Sequence, residues 1–395
     1  MFRRNRRNKR NRRRGTVAVL TAVSLVVLMG FAALAVDVGM LYNAREESQR
    51  TADSAALAGA WELLDGDALT GTAEMSEESL AARQRAATFA AANPILGHAP
   101  VVDLNSANSP EGDVLIGYIA DANHYIGTMS TANPDQANSV RVLVRRDSVR
   151  NGPILLAFAN ILGIESTEVW AEATATFKDG VVGYRANSST GNAQLLPFAL
   201  HVNVWNALLA GTYSVGDGYS YNTETGAVAA GADGVRELNL YPGSGGTQLP
   251  PGNFGTVDVG SASNSTADIA RQILQGVNES DLSYFPNGEL KLGPDGTLPL
   301  EGDTGLSAGM KDELEAIKGQ ARAILLFNAV SGSGNNAVYT IVGFAGIRIV
   351  DVKLTGSMSG KRVIIQPAFV VDDSAITGSG PGSSKFVYEP PRLVR

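Results

Sequence analysis

The chain has no cysteine, and this absence excludes disulfide bonds, thiol catalysis and cysteine-ligated zinc. Histidine is almost as scarce: His98, His124 and His201 are far apart and lack the spacing of metal ligands. An H-E-x-x-H pair and a P-loop lysine are also missing. We therefore predict that the protein is not an enzyme and that it holds no metal and no cofactor.

Aromatic residues make up only 7% of the chain, whereas glycine contributes 44 residues, which indicates turns and small-residue packing. Positive charge is sparse outside one short segment. Nine of the 32 basic residues lie in the first fourteen positions, where no acidic residue occurs, so the rest of the chain carries 23 basic and 39 acidic residues, a net charge of −16. Because nucleic-acid binding needs a basic surface, we predict no nucleic-acid partner for this acidic portion.

One long uncharged apolar run covers residues 16–36, TVAVLTAVSLVVLMGFAALAV. As a helix it would be roughly 31 Å long, about the thickness of the hydrocarbon core of a bilayer. The basic flank before it predicts a cytoplasmic N-terminus, contact with anionic lipids, and export of the chain after Asp37. The membrane-orienting residues are Arg3, Arg4, Arg6, Arg7, Lys9, Arg10, Arg12, Arg13 and Arg14.

A cleavable signal peptide is the alternative to a permanent anchor. Ala33-Leu34-Ala35 fits the A-x-A pattern that precedes a cleavage site, behind a basic region. The apolar run is longer than the usual core of a signal peptide, and the helical pattern continues past Val36. We therefore favour the anchor, and leave cleavage after Ala35 open.

Small residues recur at helical spacing beyond the membrane segment, over residues 39–64. A face of small side chains lets another backbone approach closely. The partner of this face is either the globular part of the same chain, which we favour, or a neighbouring subunit. The neighbouring subunit would be a second copy of the chain or a pilus component. The candidate helix-packing residues are Ala44, Ser48, Ala52, Ala55 and Gly59.

Asp37 falls at the predicted outer boundary of the membrane. A carboxylate inside a membrane usually pairs with a partner, whereas one at the headgroup level can stay hydrated at little cost. We expect a solvated Asp37, with pairing to a partner helix as the alternative.

An ordered set of motifs follows the apolar run: Ala35-Val36-Asp37-Val38-Gly39, then Tyr42, then the stretch 49–60, QRTADSAALAGA. This order resembles the N-terminal module of TadE/TadG-like Flp pilus-assembly proteins. The resemblance implies a single-pass protein of the bacterial inner membrane, with its N-terminus cytoplasmic and its C-terminal domains periplasmic or extracellular. It also implies other pilus-assembly or secretion proteins as partners, and it implies no reaction.

The pattern along the chain predicts an α+β fold, in which the long transmembrane helix extends into an exported α+β domain and a β-rich α+β domain follows. Strands are expected at 139–146 and 167–177, and a helix at 153–162. The predicted segments are a basic cytoplasmic tail (1–15), a transmembrane helix (16–36), an exported helical extension (37–64), a membrane-proximal α+β domain (65–180), a linker (181–193), a β-rich domain (194–372) and a flexible tail (373–395).

The predicted function is that of a membrane-anchored structural or assembly component of a Flp (tight-adherence) pilus or a related secretion system, which acts by protein–protein contacts. The alternative is a secreted adhesin or ligand-binding protein, released by cleavage after Ala35.

Overall fold

A computed structural model describes residues 10–64, 69, 75–120, 129–132, 136–240, 254–260, 265–303, 308–332, 336–357, 360–378 and 384–394. The helices are α1 (Arg10–Glu62), α2 (Met75–Ala92), α3 (Val202–Leu209), α4 (Thr266–Gln275), α5 (Glu279–Leu282) and α6 (Lys311–Ala316). The strands are β1 (Val114–Gly117), β2 (Ser139–Arg146), β3 (Ile154–Leu155), β4 (Ser166–Thr167), β5 (Val169–Lys178), β6 (Val181–Tyr184), β7 (Leu195–His201), β8 (Tyr219–Tyr221), β9 (Val228–Ala230), β10 (Leu238–Asn239), β11 (Phe254–Val257), β12 (Leu290–Lys291), β13 (Leu298–Asp303), β14 (Ala321–Ser331), β15 (Ala337–Lys353), β16 (Arg362–Pro367), β17 (Val370–Val371), β18 (Ala375–Thr377), β19 (Ser384–Lys385) and β20 (Val387–Val394).

Helix α1 is 53 residues long and changes character halfway. From Val17 to Val36 its large apolar side chains are exposed, as expected of a segment that a bilayer covers. From Ala44 onward one face is buried in the protein. Among the membrane-orienting residues, Arg3 to Lys9 lie outside the described residues, and from Arg10 to Arg14 only the helical backbone is described.

The membrane-proximal domain is a five-stranded sheet covered by α1 and α2. Its strand order is β1-β2-β5-β20-β17, and β2 pairs with β5 without a register shift, from Ser139 opposite Thr176 to Arg146 opposite Val169. The core between sheet and helices holds Val140 and Val142 from β2 and small residues from both helices, among them Ala56 and Ala86. Small residues suit this layer because they let two helices and a sheet approach closely.

The C-terminal residues do not form the flexible tail that we predicted for 373–395. Strand β20 pairs antiparallel with β5, and its Val387 is fully buried. The register shifts between Glu389 and Arg392, where two consecutive prolines cannot donate hydrogen bonds to the ladder. Because two consecutive prolines are unusual inside a strand, the sequence pattern did not indicate a strand here. Residues 379–383 and 395 lie outside the described part of the chain.

The β-rich part is organised around a ring of five strands. The pairings run β7-β11-β13-β15-β14 and return from β14 to β7, with the β14–β7 pair parallel and the others antiparallel. Large side chains such as Phe327, Tyr339 and Ile341 fill one buried cluster of this sheet. A second cluster lies under α3, α4 and α6. The α+β fold class predicted from the sequence is therefore confirmed.

Two local predictions were wrong. Part of the predicted linker, 181–193, is strand β6, which pairs with β12 and β18. The helix predicted at 153–162 is instead the two-residue strand β3 followed by a 3₁₀ turn at Ala159–Leu162. Its backbone binds a distant side chain, which the apolar pattern alone could not indicate.

Candidate functional site at the membrane-proximal end of the first helix

The side chain of Asp37 joins α1 to the segment before β4. Its Oδ1 accepts a hydrogen bond from the N–H of Ala157 (3.0 Å), and its Oδ2 accepts from Phe158 (2.9 Å) and Ala159 (2.6 Å). The residue is only 2% exposed. Our expectation of a solvated Asp37 was wrong, because three consecutive backbone donors replace water around the carboxylate. Its position at the membrane boundary stays a prediction.

The electrostatics of this contact favour an ionised carboxylate. Burial raises the pKa of the Asp37 carboxyl, but the N–H groups of Ala159, Phe158 and Ala157 together lower it more, so that the pKa lies below its ordinary value. Consecutive N–H groups that point at one anion form a concave site for negative charge. The 3₁₀ turn that follows closes at Gly163, whose φ of 84° lies in the left-handed region that glycine tolerates. A single charged residue of α1 thus organises a turn 120 residues away.

The five candidate helix-packing residues lie in the interior of the membrane-proximal domain. Ala44, Ser48, Ala52 and Ala55 are fully buried, and Gly59 is buried as well. A Cβ added to Gly59 would lie 3.0 Å from Cγ1 of Val140 and 3.2 Å from the carbonyl oxygen of Ala82. At Gly59 the stripe therefore lies against the chain's own β2 and α2. Contact with a neighbouring subunit at this face is left as a prediction.

Three contacts fix the direction of α1 relative to the sheet. Farthest from the predicted membrane, Gly59 lies against Val140, whose partner in β5 is Ala175. Nearer to it, Gln49 Nε2 donates to the carbonyl oxygen of Glu172 (3.2 Å). Asp37 then binds the backbone that precedes β5. Helix α1 and strand β5 thus run in the same direction. The segment before β5 lies beside the C-terminal end of the apolar run in α1.

Sequence reasoning missed a buried polar cluster beside α2. Arg83 is 4% exposed and donates to the carbonyl oxygens of Leu104 (2.8 Å) and Val114 (2.7 Å). Asp113 is fully buried and forms ion pairs with Arg145 and Arg150. The sequence contains a signal for Arg83, because this arginine follows Ala82 in an alanine-rich helix and lies on the buried face of that helix. These hydrogen bonds and ion pairs fix the loop between α2 and β1. The burial of Arg83 and Asp113 therefore has a structural explanation.

The histidines show no shared site within the described residues. His98 is exposed, and His201 Nδ1 accepts a hydrogen bond from the N–H of Asn203 (3.1 Å) at the start of α3. His124 lies outside the described residues. In the part of the chain that the structure describes, no group of three or more His, Asp or Glu side chains could hold a metal ion.

A short G-x-S-x-G motif precedes α6. Residues 305–309, Gly-Leu-Ser-Ala-Gly, have the G-x-S-x-G spacing of a hydrolase nucleophile elbow. Ser307 lies outside the described residues. The described His201 already accepts a hydrogen bond from the backbone N–H of Asn203 through its Nδ1. The spacing is a short pattern that needs a base and an orienting group to become a site.

Two protein-family models match the N-terminal part of the chain. Residues 15–62 match the TadE/G-like Flp pilus-assembly family, and residues 58–175 match the Tad-like Flp pilus-assembly family. The N-terminal part of the chain thus resembles Flp pilus-assembly proteins. In particular, the TadE/TadG-like resemblance is confirmed, and the two families support a component of Flp pilus assembly. Comparisons with curated proteins and with solved structures give no match.

The boundaries of the matches follow the fold. The first ends at Glu62, the last residue of α1, and the second covers α2, β1, β2 and most of β5. Strand β20, which lies between β5 and β17 in the same sheet, is outside both matches. The C-terminal segment therefore adds a strand to a sheet that the matched module itself begins.

Proposed function

We propose that this chain is a single-pass, membrane-anchored structural component of a Flp (tight-adherence) pilus or a related secretion system. Residues 16–36 cross the bacterial inner membrane, the N-terminus is cytoplasmic, and the domains after Asp37 are periplasmic or extracellular. The chain works through protein–protein contacts, catalyses no reaction and binds no nucleic acid. Other pilus-assembly or secretion proteins are its partners, and a second copy of the chain is a further one.

One observation carries this proposal. Helix α1 runs without interruption from an apolar segment whose side chains are exposed into a segment whose small side chains form the core of the next domain. A continuous helix of this kind transmits position and force between membrane and domain, because bending it would break consecutive backbone hydrogen bonds.

The charge distribution supports the orientation. Nine basic residues precede the apolar run, which favours a cytoplasmic N-terminus and contact with anionic lipids. The net charge of −16 after residue 14 is unfavourable for nucleic-acid binding.

The second candidate is a secreted adhesin or ligand-binding protein released by cleavage after Ala35. The A-x-A pattern of Ala33 and Ala35 favours it. Against it, these residues lie in the middle of α1, and a cut there would leave the buried Asp37 beside a new, charged N-terminus.

N-terminal sequencing of the mature protein, combined with alkaline carbonate extraction of membranes, tests the anchor. We expect an uncut apolar segment and a protein that stays in the membrane pellet. A mature chain that starts at Val36 and is found in the soluble fraction would overturn the anchor. Deletion of the gene tests the pilus role separately, because the proposal requires loss of surface pili, restored by the full chain.

A further inference from the structure

The segment 153–164, PILLAFANILGI, is apolar and largely exposed. It contains no charged residue. Leu155, Ile161 and Leu162 are 73%, 82% and 77% exposed, and Phe158 and Ile164 are exposed as well. A soluble domain rarely leaves so many large apolar side chains together in water, so a contiguous patch of this kind marks an interaction surface.

This segment has a defined structure. Ile154 and Leu155 pair with Thr167 and Ser166, and the 3₁₀ turn closes with the Gly163 N–H bonded to the carbonyl oxygen of Asn160. The exposure of its apolar side chains is therefore built into the turn and does not arise from loss of structure.

Seven of the backbone N–H groups between residues 156 and 164 donate hydrogen bonds within the protein. The N–H groups of Ala157, Phe158 and Ala159 bind Asp37. Those of Leu156, Ile161 and Ile164 bind carbonyl oxygens of the same segment or its neighbour Glu165. Satisfied backbone donors are the condition for placing a turn in an apolar medium, where water cannot replace missing bonds.

The position of the segment identifies its occupant. Asp37 is the first residue after the apolar run 16–36, and it holds the turn directly beside α1. Gln49, which contacts β5, lies about 18 Å farther along the helix axis, at 1.5 Å per residue. The exposed apolar turn thus lies beside the end of the apolar run of α1.

We infer that residues 153–164 insert into the outward-facing leaflet of the membrane, as a second membrane contact beside the helix. Phe158, Ile161 and Leu162 enter the boundary between headgroups and acyl chains, where large apolar side chains without charge are favoured. Two contacts hold a domain in one orientation, whereas a helix alone permits rotation about its axis. The inference rests on the proposed anchoring by 16–36.

The absence of cysteine makes a direct test possible. Four single-cysteine variants of the full chain, each labelled with an environment-sensitive fluorophore, are reconstituted in liposomes at low protein-to-lipid ratio. Ile161→Cys and Leu162→Cys probe the turn. Val26→Cys, in the apolar run, is the membrane control, and Tyr284→Cys, which is 67% exposed in the β-rich part, is the water control. Quenching is measured with spin-labelled phospholipids that carry the nitroxide at shallow or deep positions.

We expect the labels at 161 and 162 to lose fluorescence most strongly with the shallow quencher and to emit at shorter wavelength than the label at 284. The label at 26 should respond to the deep quencher. If 161 and 162 behave like 284 while 26 is quenched, the inference is overturned, and the surface docks a protein instead. If 26 is also unquenched, the proposed anchor itself fails.

Discussion

The Oδ2 atom of Asp37 lies 2.6 Å from the backbone nitrogen of Ala159, although 122 positions separate the two residues. This hydrogen bond connects the end of the apolar run to the turn that precedes β5. It connects two parts of the chain that belong to different matched modules, residues 15–62 and 58–175. Asp37 therefore fixes the position of this turn relative to α1, together with the contacts that Gln49 and Gly59 make with the sheet.

Replacement of Asp37 by Asn should destabilise the membrane-proximal domain by about 1–3 kcal/mol, since a neutral amide has one acceptor oxygen and its NH₂ group faces a backbone donor. Chemical unfolding of the full chain in detergent micelles measures the change. Glu46→Gln is the matched control, because Glu46 is exposed on the same helix. Equal stabilities of the two variants would show that the hydrogen bonds of Asp37 contribute nothing.

The contribution of Asp37 should also depend on pH. Its pKa in the folded protein is lowered, so its stabilising effect is fully present above the unfolded value of about 3.9 and is lost as the pH falls through the folded pKa. The stability difference between the wild type and Asp37→Asn should therefore be constant near neutral pH and should shrink below about pH 4. Because both proteins share every other carboxyl group, unfolding curves at matched pH isolate this one. A difference that stays constant down to pH 3 contradicts the assignment.

Gly59→Leu should destabilise the protein by about 1–3 kcal/mol or more, because even a Cβ atom there lies 3.0 Å from Val140 Cγ1 and 3.2 Å from the carbonyl oxygen of Ala82. Ala55→Leu should act in the same direction, since Ala55 is fully buried. Glu46→Leu, on the exposed face, is the control for the added apolar volume. The thermal midpoint of each variant measures the effect.

A compensating change makes the Gly59 prediction sharper. In Gly59→Ala the nearest crowding atom belongs to Val140, so adding Val140→Ala should recover part of the loss caused by the first substitution. If the effects of the two substitutions simply add, then α1 and β2 are not in contact at this point.

The C-terminal strand should be required for the stability of the protein, because Val387 packs in the cluster of the β-rich part whereas Tyr388 packs against the core of the membrane-proximal domain. Val387→Ala removes two methyl groups from a fully buried position and should cost about 2 kcal/mol. Val330→Ala, at a position 37% exposed, is the matched control. Deletion of residues 386–395 should expose the edge of β5 and promote aggregation, measured by light scattering. An intact unfolding midpoint after the deletion would mean that these residues are dispensable, as a mobile tail would be.

The sequence predicted β2 and β5 well, because alternation with a period of two reports directly which side chains face a core. Strands 139–146 and 167–177 were expected, and β2 and β5 span Ser139–Arg146 and Val169–Lys178. It failed at 153–162, where an uncharged apolar run has the composition of a helix. Composition does not reveal that three N–H groups of this run bind a carboxylate on α1 and that its apolar side chains face outward.

By itself, the sequence determined the apolar segment, the charge asymmetry, the α+β class and the resemblance of the N-terminal part to Flp pilus-assembly proteins. Each of these depends on local composition or on a motif of neighbouring residues. The predicted linker and flexible tail were wrong, because both contain strands, whereas the membrane-orienting role of the basic flank stays a prediction. Only the tertiary structure decided that Asp37 is buried and that β20 joins the first sheet. The hydrogen-bond partners of Asp37 and the strand neighbour β5 of β20 lie more than a hundred positions away in the sequence. No local pattern indicates contacts over such a distance.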